Sequence, residues 1–219
     1  MGSININYEG KTESHEMKQL PEIAGGSPDV CIKSKVSPIE ILTNRSSIRP
    51  LLFDKEYWFC GRFKEGADAA MTLTSDSAVC KTISEIPRLY ARAGYMWEVN
   101  GNEGDLCTLT INGNYPIVQR VRTKNGLELI ESLLVTSSYA SQTKLLESES
   151  ELVFLFIFYE PAGGGSCSIS SDASAVKLID GARTNLTINS YLYLIDGDVG
   201  SSYTITANSY YIMFRCKVL

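Results

Sequence analysis

The chain has 219 residues, of which 20 are basic and 25 acidic, for a net charge of -5. Hydrophobic residues make up 44% of it, which is enough to build a buried core and excludes a wholly disordered chain. Proteins that bind nucleic acid through its phosphates usually carry a basic stripe. None is visible here, so we expect no nucleic-acid partner.

The N-terminal sequence and the cysteines indicate in which cellular compartment the chain is expected. Residues 1–20 contain no apolar run of the length that a secretory signal needs. No stretch approaches the ~20 apolar residues of a membrane span. We therefore expect synthesis in the cytoplasm and no membrane insertion. The six cysteines include no C-x-x-C pair, so buried, reduced thiols are preferred, although an even count also allows three disulfides.

Residues 1–36 are predicted to form an extended N-terminal arm. Their apolar residues are sparse and aperiodic, and Gly25-Gly26-Ser27-Pro28 is a loop signal. A polar arm normally frays unless something holds it. An ordered arm would therefore indicate packing against a neighbouring subunit, or else folding back on its own domain.

The segment after the arm predicts a short helix. Ser37 can cap it, Pro38 suits its first position, and Glu40 completes a capping box. Residues 51–63 are rich in aromatic side chains and are predicted to be extended. Residues 66–94 are ambiguous.

The middle of the chain predicts strands joined by turns. Apolar and polar residues alternate over 95–99 and 107–111. Turn signals follow the strands at Asn100-Gly101, Asn112-Gly113 and Asn125-Gly126. Asn-Gly between alternating runs is a strong hairpin signal, so we expect hairpins here. Residues 127–135 fit either a short helix or strands.

The last third predicts a run of antiparallel strands. Residues 152–159 are apolar on both faces, which indicates a central strand covered on both sides. Further strands are predicted over 175–179, 186–195, 203–207 and 210–218. We therefore predict a mainly β fold: an antiparallel β-sandwich or jelly-roll-like body over 37–219, with one or two short helices and a possible sub-boundary near 140–151.

The residues that could carry chemistry predict no catalytic site. The single histidine, His15, lies in the polar arm, where a nucleophile would have to recruit it. Gly163-Gly164-Gly165-Ser166 lacks the Lys-Ser or Lys-Thr of a phosphate-binding loop. Glu147, Glu149 and Glu151 could support glycoside hydrolysis across a cleft. Alternating acids at a strand entrance are more typical of a solvated edge.

No metal or cofactor is expected either. Asp196-Gly197-Asp198 is an oxygen-rich turn, but it does not match an EF-hand loop. The turn itself explains why aspartate and glycine occur there.

The alternation of the final strands gives them two sides. Tyr191, Tyr193 and Tyr211 are predicted to point outward, beside Arg215 and Lys217. Tyrosine is favoured in strands for local reasons, but it also dominates protein interfaces. Tyrosine with arginine can also stack on sugars. This tyrosine face is therefore the candidate interface or sugar-stacking site.

Elimination then leads to a functional hypothesis. We expect a non-enzymatic structural or interaction protein, a subunit of a homo-oligomeric assembly such as a phage or virus particle. A capsid accessory, head-fibre or tail protein fits, with other copies and neighbouring assembly proteins as partners. The alternative is a carbohydrate-binding β-sandwich module that recognises a surface glycan. An enzyme using carboxylates alone would need two of them ~5–10 Å apart in a cleft.

Overall fold

The computed structural model describes residues 4–8, 11–15, 35–36, 40–41, 46–63, 71–89, 92–111, 114–123, 125–137, 139–158, 165–180 and 188–219. The described part is mainly β, its strands pair antiparallel, and it contains no helix. The chain divides into two compact units, Met1–Lys33 and Ser34–Leu219. The first unit contains an antiparallel pair, β1 (Ile4–Tyr8) and β2 (Lys11–His15).

The second unit contains all the other strands. Those of its first half are β3 (Lys35–Val36), β4 (Glu40–Ile41), β5 (Ser46–Pro50), β6 (Lys55–Phe63), β7 (Met71–Ser75), β8 (Val79–Leu89), β9 (Arg92–Asn100), β10 (Leu106–Ile111) and β11 (Asn114–Arg122). Those of its second half are β12 (Leu127–Val135), β13 (Ala140–Leu145), β14 (Ser150–Phe158), β15 (Cys167–Ser171), β16 (Ser174–Asp180), β17 (Ile188–Asp196), β18 (Ser202–Ala207) and β19 (Tyr210–Val218).

These strands form two large and two small sheets. The large sheets have the orders β3-β11-β6-β9-β8, with β4 also paired to β11, and β12-β19-β14-β17-β16. The small sheets have the orders β5-β10-β7 and β13-β18-β15. The predicted short helix is not found at Glu40–Ile41, because pairing with Ile117 and Val118 makes that segment a strand. Residues 37–39 lie outside the described residues.

The two halves follow one plan, and we call β3–β11 the first repeat and β12–β19 the second. In the second repeat the pairs are nested: β12 pairs with β19, β13 with β18, and β14 with β17. In the first repeat β3 and β4 pair with β11, β5 with β10, and β6 with β9. The second repeat therefore begins at Leu127, ahead of the predicted sub-boundary near 140–151.

Hydrogen bonds in the turns repeat as closely as the strands do. The amide of Leu51 donates to the carbonyl of Asp105 at 2.8 Å, and in the second repeat Leu146 donates to Ser201 at 2.9 Å. Gly104 and Gly200 occupy the same place in the two turns, with φ of 95° and 93°. Only glycine adopts this backbone region readily, so each repeat has kept a glycine there.

The Asn-Gly segments do not form the predicted hairpins. Asn100-Gly101 joins β9 to β10, which lie in different sheets, and Asn125-Gly126 joins the two repeats. Residues 112–113 lie outside the described residues, but the strands they connect also belong to different sheets. The nested pairing explains this result, because most neighbouring strands in the chain cross from one sheet to the other.

Each small sheet packs on the large sheet of its own repeat. The first core includes Trp58, Trp97 and Leu109, and the second includes Val153, Tyr193 and Ile205. The other faces of the large sheets meet each other, where Phe59 contacts Phe154. The four sheets are thus layered small, large, large, small, and β14 is buried on both faces as predicted.

Candidate interaction surfaces

The tyrosine face is buried inside the second repeat. Tyr191, Tyr193 and Tyr211 are only 6%, 3% and 0% exposed, because the small sheet β13-β18-β15 covers them. The prediction that they lie on the outer side of the sheet is wrong. Tyr191 and Tyr193 donate hydrogen bonds to the carbonyls of Gly165 and Cys167 at 3.2 and 3.3 Å. An external sugar or protein therefore does not reach these rings in this structure.

These tyrosines have counterparts in the first repeat. Tyr191 and Tyr193 stack with ring centroids 6.5 Å apart, and the equivalent Tyr95 and Trp97 stack at 5.2 Å. Both pairs lie two residues apart on one strand and face the core of their repeat. The aromatic pair is therefore part of how each repeat packs its two sheets.

Arg215 is also buried, in an ion pair with Glu151. Its Nε donates to Glu151 Oε2 at 2.6 Å, and its Nη2 donates to Glu151 Oε1 at 2.9 Å. Nη2 also donates to the carbonyl of Leu145, and Nη1 to Glu147 Oε1 at 3.1 Å. Burial lowers the pKa of Arg215, but the hydrogen bonds to Glu151 together with the charges of Tyr203, Glu151 and Glu147 outweigh it, and the net pKa is raised. Glu151 is thus not part of a solvated edge, whereas Glu147 and Glu149 are exposed.

A carboxylate–guanidinium pair at the equivalent positions stabilises the first repeat. Arg120 Nη1 lies 3.7 Å from Glu56 Oε2 and donates to the carbonyl of Pro50 at 2.7 Å. Glu56 accepts from Trp58 Nε1 and from the backbone of Phe53, each at 2.9 Å. Pro50 and Leu145 hold equivalent positions. In both repeats the carboxylate and the guanidinium fasten the turn that precedes a central strand, which is a structural role.

Lys217, the remaining predicted site residue, lies apart from the tyrosines. Its side chain is half-exposed at the end of β19, and its Nζ is 4.0 Å from Glu128 Oε2. An exposed pair at this distance contributes little to stability. The structure therefore buries Arg215 over the ring of Tyr203, at 5.8 Å from its centroid, and leaves Lys217 at the surface.

The exposed surfaces that stand out are the outer faces of the two small sheets. We call the outward side of β5-β10-β7 face 1; its side chains are Ile48, Pro50, Thr72, Thr74, Leu106, Thr108 and Thr110. We call the outward side of β13-β18-β15 face 2; its side chains are Ser141, Thr143, Leu145, Ser168, Ser170, Ser202, Thr204 and Thr206.

The strands of both faces contain no outward-pointing charged side chain, although charged residues make up 21% of the chain. One carboxylate lies at the border of face 2, where Asp172 Oδ2 accepts a hydrogen bond from Ser202 Oγ at 2.9 Å. Hydroxyl groups form ladders across the strands instead. On face 2, Thr143 and Thr204 are 2.9 Å apart and Ser141 and Thr206 are 3.1 Å apart. Large apolar side chains interrupt the hydroxyls: Ile48 and Leu106 are 58% and 57% exposed, and Leu145 is 57% exposed.

Sequence reasoning overlooked these faces, although a signal was present. Threonines flank a single apolar residue at Thr72-Leu73-Thr74, Thr108-Leu109-Thr110 and Thr204-Ile205-Thr206. That alternation is typical of a strand with one buried face and one hydroxyl-bearing face.

Three other observations bear on the site. No group of three or more histidine, cysteine or acidic side chains in the described ranges is placed to hold a metal ion. No helix among the described residues is long and apolar enough to cross a membrane. No protein-family model, curated protein or solved structure matches the chain.

Proposed function

We propose that this chain is a non-enzymatic structural protein, a subunit of a homo-oligomeric assembly such as a phage or virus particle, built from two jelly-roll-like β-sandwiches. The support for the jelly-roll topology is the nested pairing, in which a long strand hairpin is wound so that its successive pairs fall in opposite sheets. Jelly rolls occur in viral capsid and lectin domains. That link to function is an analogy of fold.

The observation that carries the proposal is that the strands of faces 1 and 2 present no outward-pointing charged side chain, with Asp172 confined to the border of face 2. Water-facing surfaces ordinarily intersperse charges of both signs, which keep proteins soluble and apart. Interface cores are depleted of charged residues. Two sheet faces rich in hydroxyl groups, with exposed Ile48, Leu106 and Leu145, have the composition of contact surfaces. A second copy of the chain is the partner that we infer, because it brings a matching uncharged face.

The alternative, recognition of a surface glycan, depended on Tyr191, Tyr193 and Tyr211 as stacking platforms. Their burial in the second core removes them from that role. The glycan-binding alternative would have to use other residues, and the assembly proposal is preferred.

The test is the mass of the protein in solution. One copy has a mass of 24.1 kDa. Sedimentation velocity over a concentration series should give species heavier than one copy, with an average mass that rises with concentration. A single 24.1 kDa species at every concentration up to about 100 µM would overturn the proposal.

A matched control addresses the surfaces directly. Thr108→Lys and Thr204→Lys each place one charge at the centre of a face, and the double variant should sediment as one copy. Thr136→Lys makes the same chemical change at an exposed position after β12, outside the strands of both faces. It should assemble like the unaltered chain.

A further inference from the structure

We propose that face 1 of one copy binds face 2 of the next, so that the chains assemble head to tail. This inference rests on the proposed function and specifies its contact. It concerns which surface meets which, and it predicts the form of the assembly.

The layer order puts the two faces on opposite sides of the second unit. Face 1 belongs to the small sheet of the first repeat and face 2 to the small sheet of the second, while the two large sheets lie between them. One copy can therefore contact two neighbours at once. Repeated head-to-tail contacts generate a ring if the rotation closes and an open filament if it does not.

The side chains of the two faces differ in size at equivalent positions. Ile48 and Leu106 project from face 1, whereas the equivalent positions on face 2 hold Thr143 and Ser202. Face 2 has one large projecting side chain, Leu145, where face 1 has Pro50. Face 2 is also lined with small side chains on β15, at Ser168 and Ser170. Bulky side chains pack best over small ones, as they do in protein cores. Pairing face 1 with face 2 lets Ile48 and Leu106 pack over serines, whereas a second face 1 offers only threonines as its smaller side chains.

The interior of the molecule already shows this mode of packing. Where the large sheets of the two repeats meet, Phe156 lies over Gly61 and Ile212 lies over Gly94. A β-carbon at Gly61 would be 2.5 Å from Phe156 Cγ, so the ring fills the space that the glycine leaves. At these two positions a bulky side chain of the second repeat thus packs over a glycine of the first.

The polar groups of the two faces are also compatible. Serine and threonine hydroxyls both donate and accept hydrogen bonds. The strand hydroxyls of the two faces can therefore pair without burying a charge, which would cost several kcal/mol per ion. The carboxylate of Asp172, which accepts from Ser202 Oγ at the border of face 2, remains in water in this arrangement. On face 2 the hydroxyls of Thr143 and Thr204 already share a hydrogen bond and have further acceptor capacity.

The experiment mixes two blocked variants. Thr108→Lys blocks face 1 and leaves face 2 intact, and Thr204→Lys does the reverse. Each variant alone should sediment as one copy of 24.1 kDa. A 1:1 mixture should form a heterodimer that grows no further, because it contains one intact face 1 and one intact face 2. Thr136→Lys serves as the control and should assemble beyond the dimer, like the unaltered chain.

The outcomes separate the two proposals. A monomeric unaltered chain would remove the proposed function and this inference with it. If the unaltered chain assembles but each blocked variant alone stops at dimers, like faces pair and only the head-to-tail inference is overturned. If the blocked variants still assemble like the control, the contacts lie elsewhere. Thr74→Lys and Thr143→Lys, on the same two faces, replace either variant that fails to give a cooperative thermal melt.

Discussion

Phe59 stacks face to face on Phe154, the residue that holds the equivalent position in the other repeat. The ring centroids are 4.7 Å apart and the planes differ by 1°. Two residues further on, Gly61 faces Phe156, which is also its equivalent. Strands β6 and β14 therefore face each other across the two large sheets, in the same direction and with equivalent residues opposite one another. The turns that precede them lie at the same end of the second unit.

The contact between the repeats should be sensitive to added volume at Gly61. In Gly61→Ala the new β-carbon would lie 2.5 to 2.8 Å from three ring carbons of Phe156, too close for any real contact. We expect a loss of about 1–3 kcal/mol in the free energy of unfolding, measured in urea. Adding Phe156→Leu should make the double change less costly than the sum of the single ones. Strict additivity would show that the two residues do not compete for space.

The Glu151–Arg215 pair should dominate the polar contributions to stability. Glu151→Gln leaves the buried guanidinium without its carboxylate, and we expect a loss of about 3–5 kcal/mol. Glu128→Gln is the matched control, because Glu128 is exposed and lies 4.0 Å from Lys217; it should change stability by less than about 1 kcal/mol. Equal effects in urea unfolding would show that burial of the ion pair is unimportant.

Removing the buried hydroxyl of Tyr203 and removing that of Tyr211 should have different effects on the stability of the fold. Tyr203 donates to Glu151 Oε2 at 3.1 Å, so Tyr203→Phe should cost about 1.5–3 kcal/mol. Tyr211 Oη is buried and makes no hydrogen bond within the described residues, so Tyr211→Phe should be neutral or stabilise the fold by up to about 1 kcal/mol. The comparison uses melting temperature and urea midpoint. A clear destabilisation in Tyr211→Phe would show that its hydroxyl has a partner in solution.

Stability should decline at alkaline pH. Burial raises the pKa of Tyr211 from 10.0 to about 12. Burial, followed by the neighbouring Cys107, raises the pKa of Cys80 from 9.0 to about 12. Because the unfolded chain gives up these protons first, their contribution is complete below about pH 9 and is lost as the pH rises toward 12.

The measurement is the urea midpoint at a series of pH values from 8 upward. The midpoint should fall above pH 9, and the fall should be shallower in Tyr211→Phe. A midpoint that stays level to pH 11 would contradict the expected linkage.

The sequence predicted the central strand of the second repeat because β14 is apolar at nearly every position. Such a run indicates cover on both faces, and both faces of β14 are buried. The neighbouring strands misled for a related reason. Alternation separates Tyr191 and Tyr193 from Leu192, but it cannot tell which side is exposed when a second sheet covers each side. Tyrosine suits a half-polar surface and a core equally well when its hydroxyl finds a carbonyl.

The small sheets and the repeat escaped sequence reasoning because both depend on long-range pairing. Strands β13 and β15 are short and rich in serine and threonine, so their apolar signal is weak. Few residues are identical between the repeats, although Glu56 and Glu151 match, as do Gly101 and Gly197. The spacing between equivalent residues of the two repeats changes by one residue along the chain, and a bulge in β11 is one such irregularity. A search for a constant repeat length therefore misses the repeat. The turn signals at Asn100-Gly101 and Asn125-Gly126 do lie between strands, but they could not reveal that the chain changes sheets there.

The Gly61 and Phe156 contact also has an evolutionary consequence. If a single repeat paired with an identical copy about a two-fold axis, position 61 would meet its own duplicate, as glycine on glycine or as phenylalanine on phenylalanine. A glycine opposite a phenylalanine is possible only when the two sides are encoded separately. When two repeats are joined in one chain, the contact between their large sheets need not be symmetric. Each side can then mutate to fit the other. The same divergence leaves the molecule with two unlike outer ends, and unlike ends give an assembly a direction.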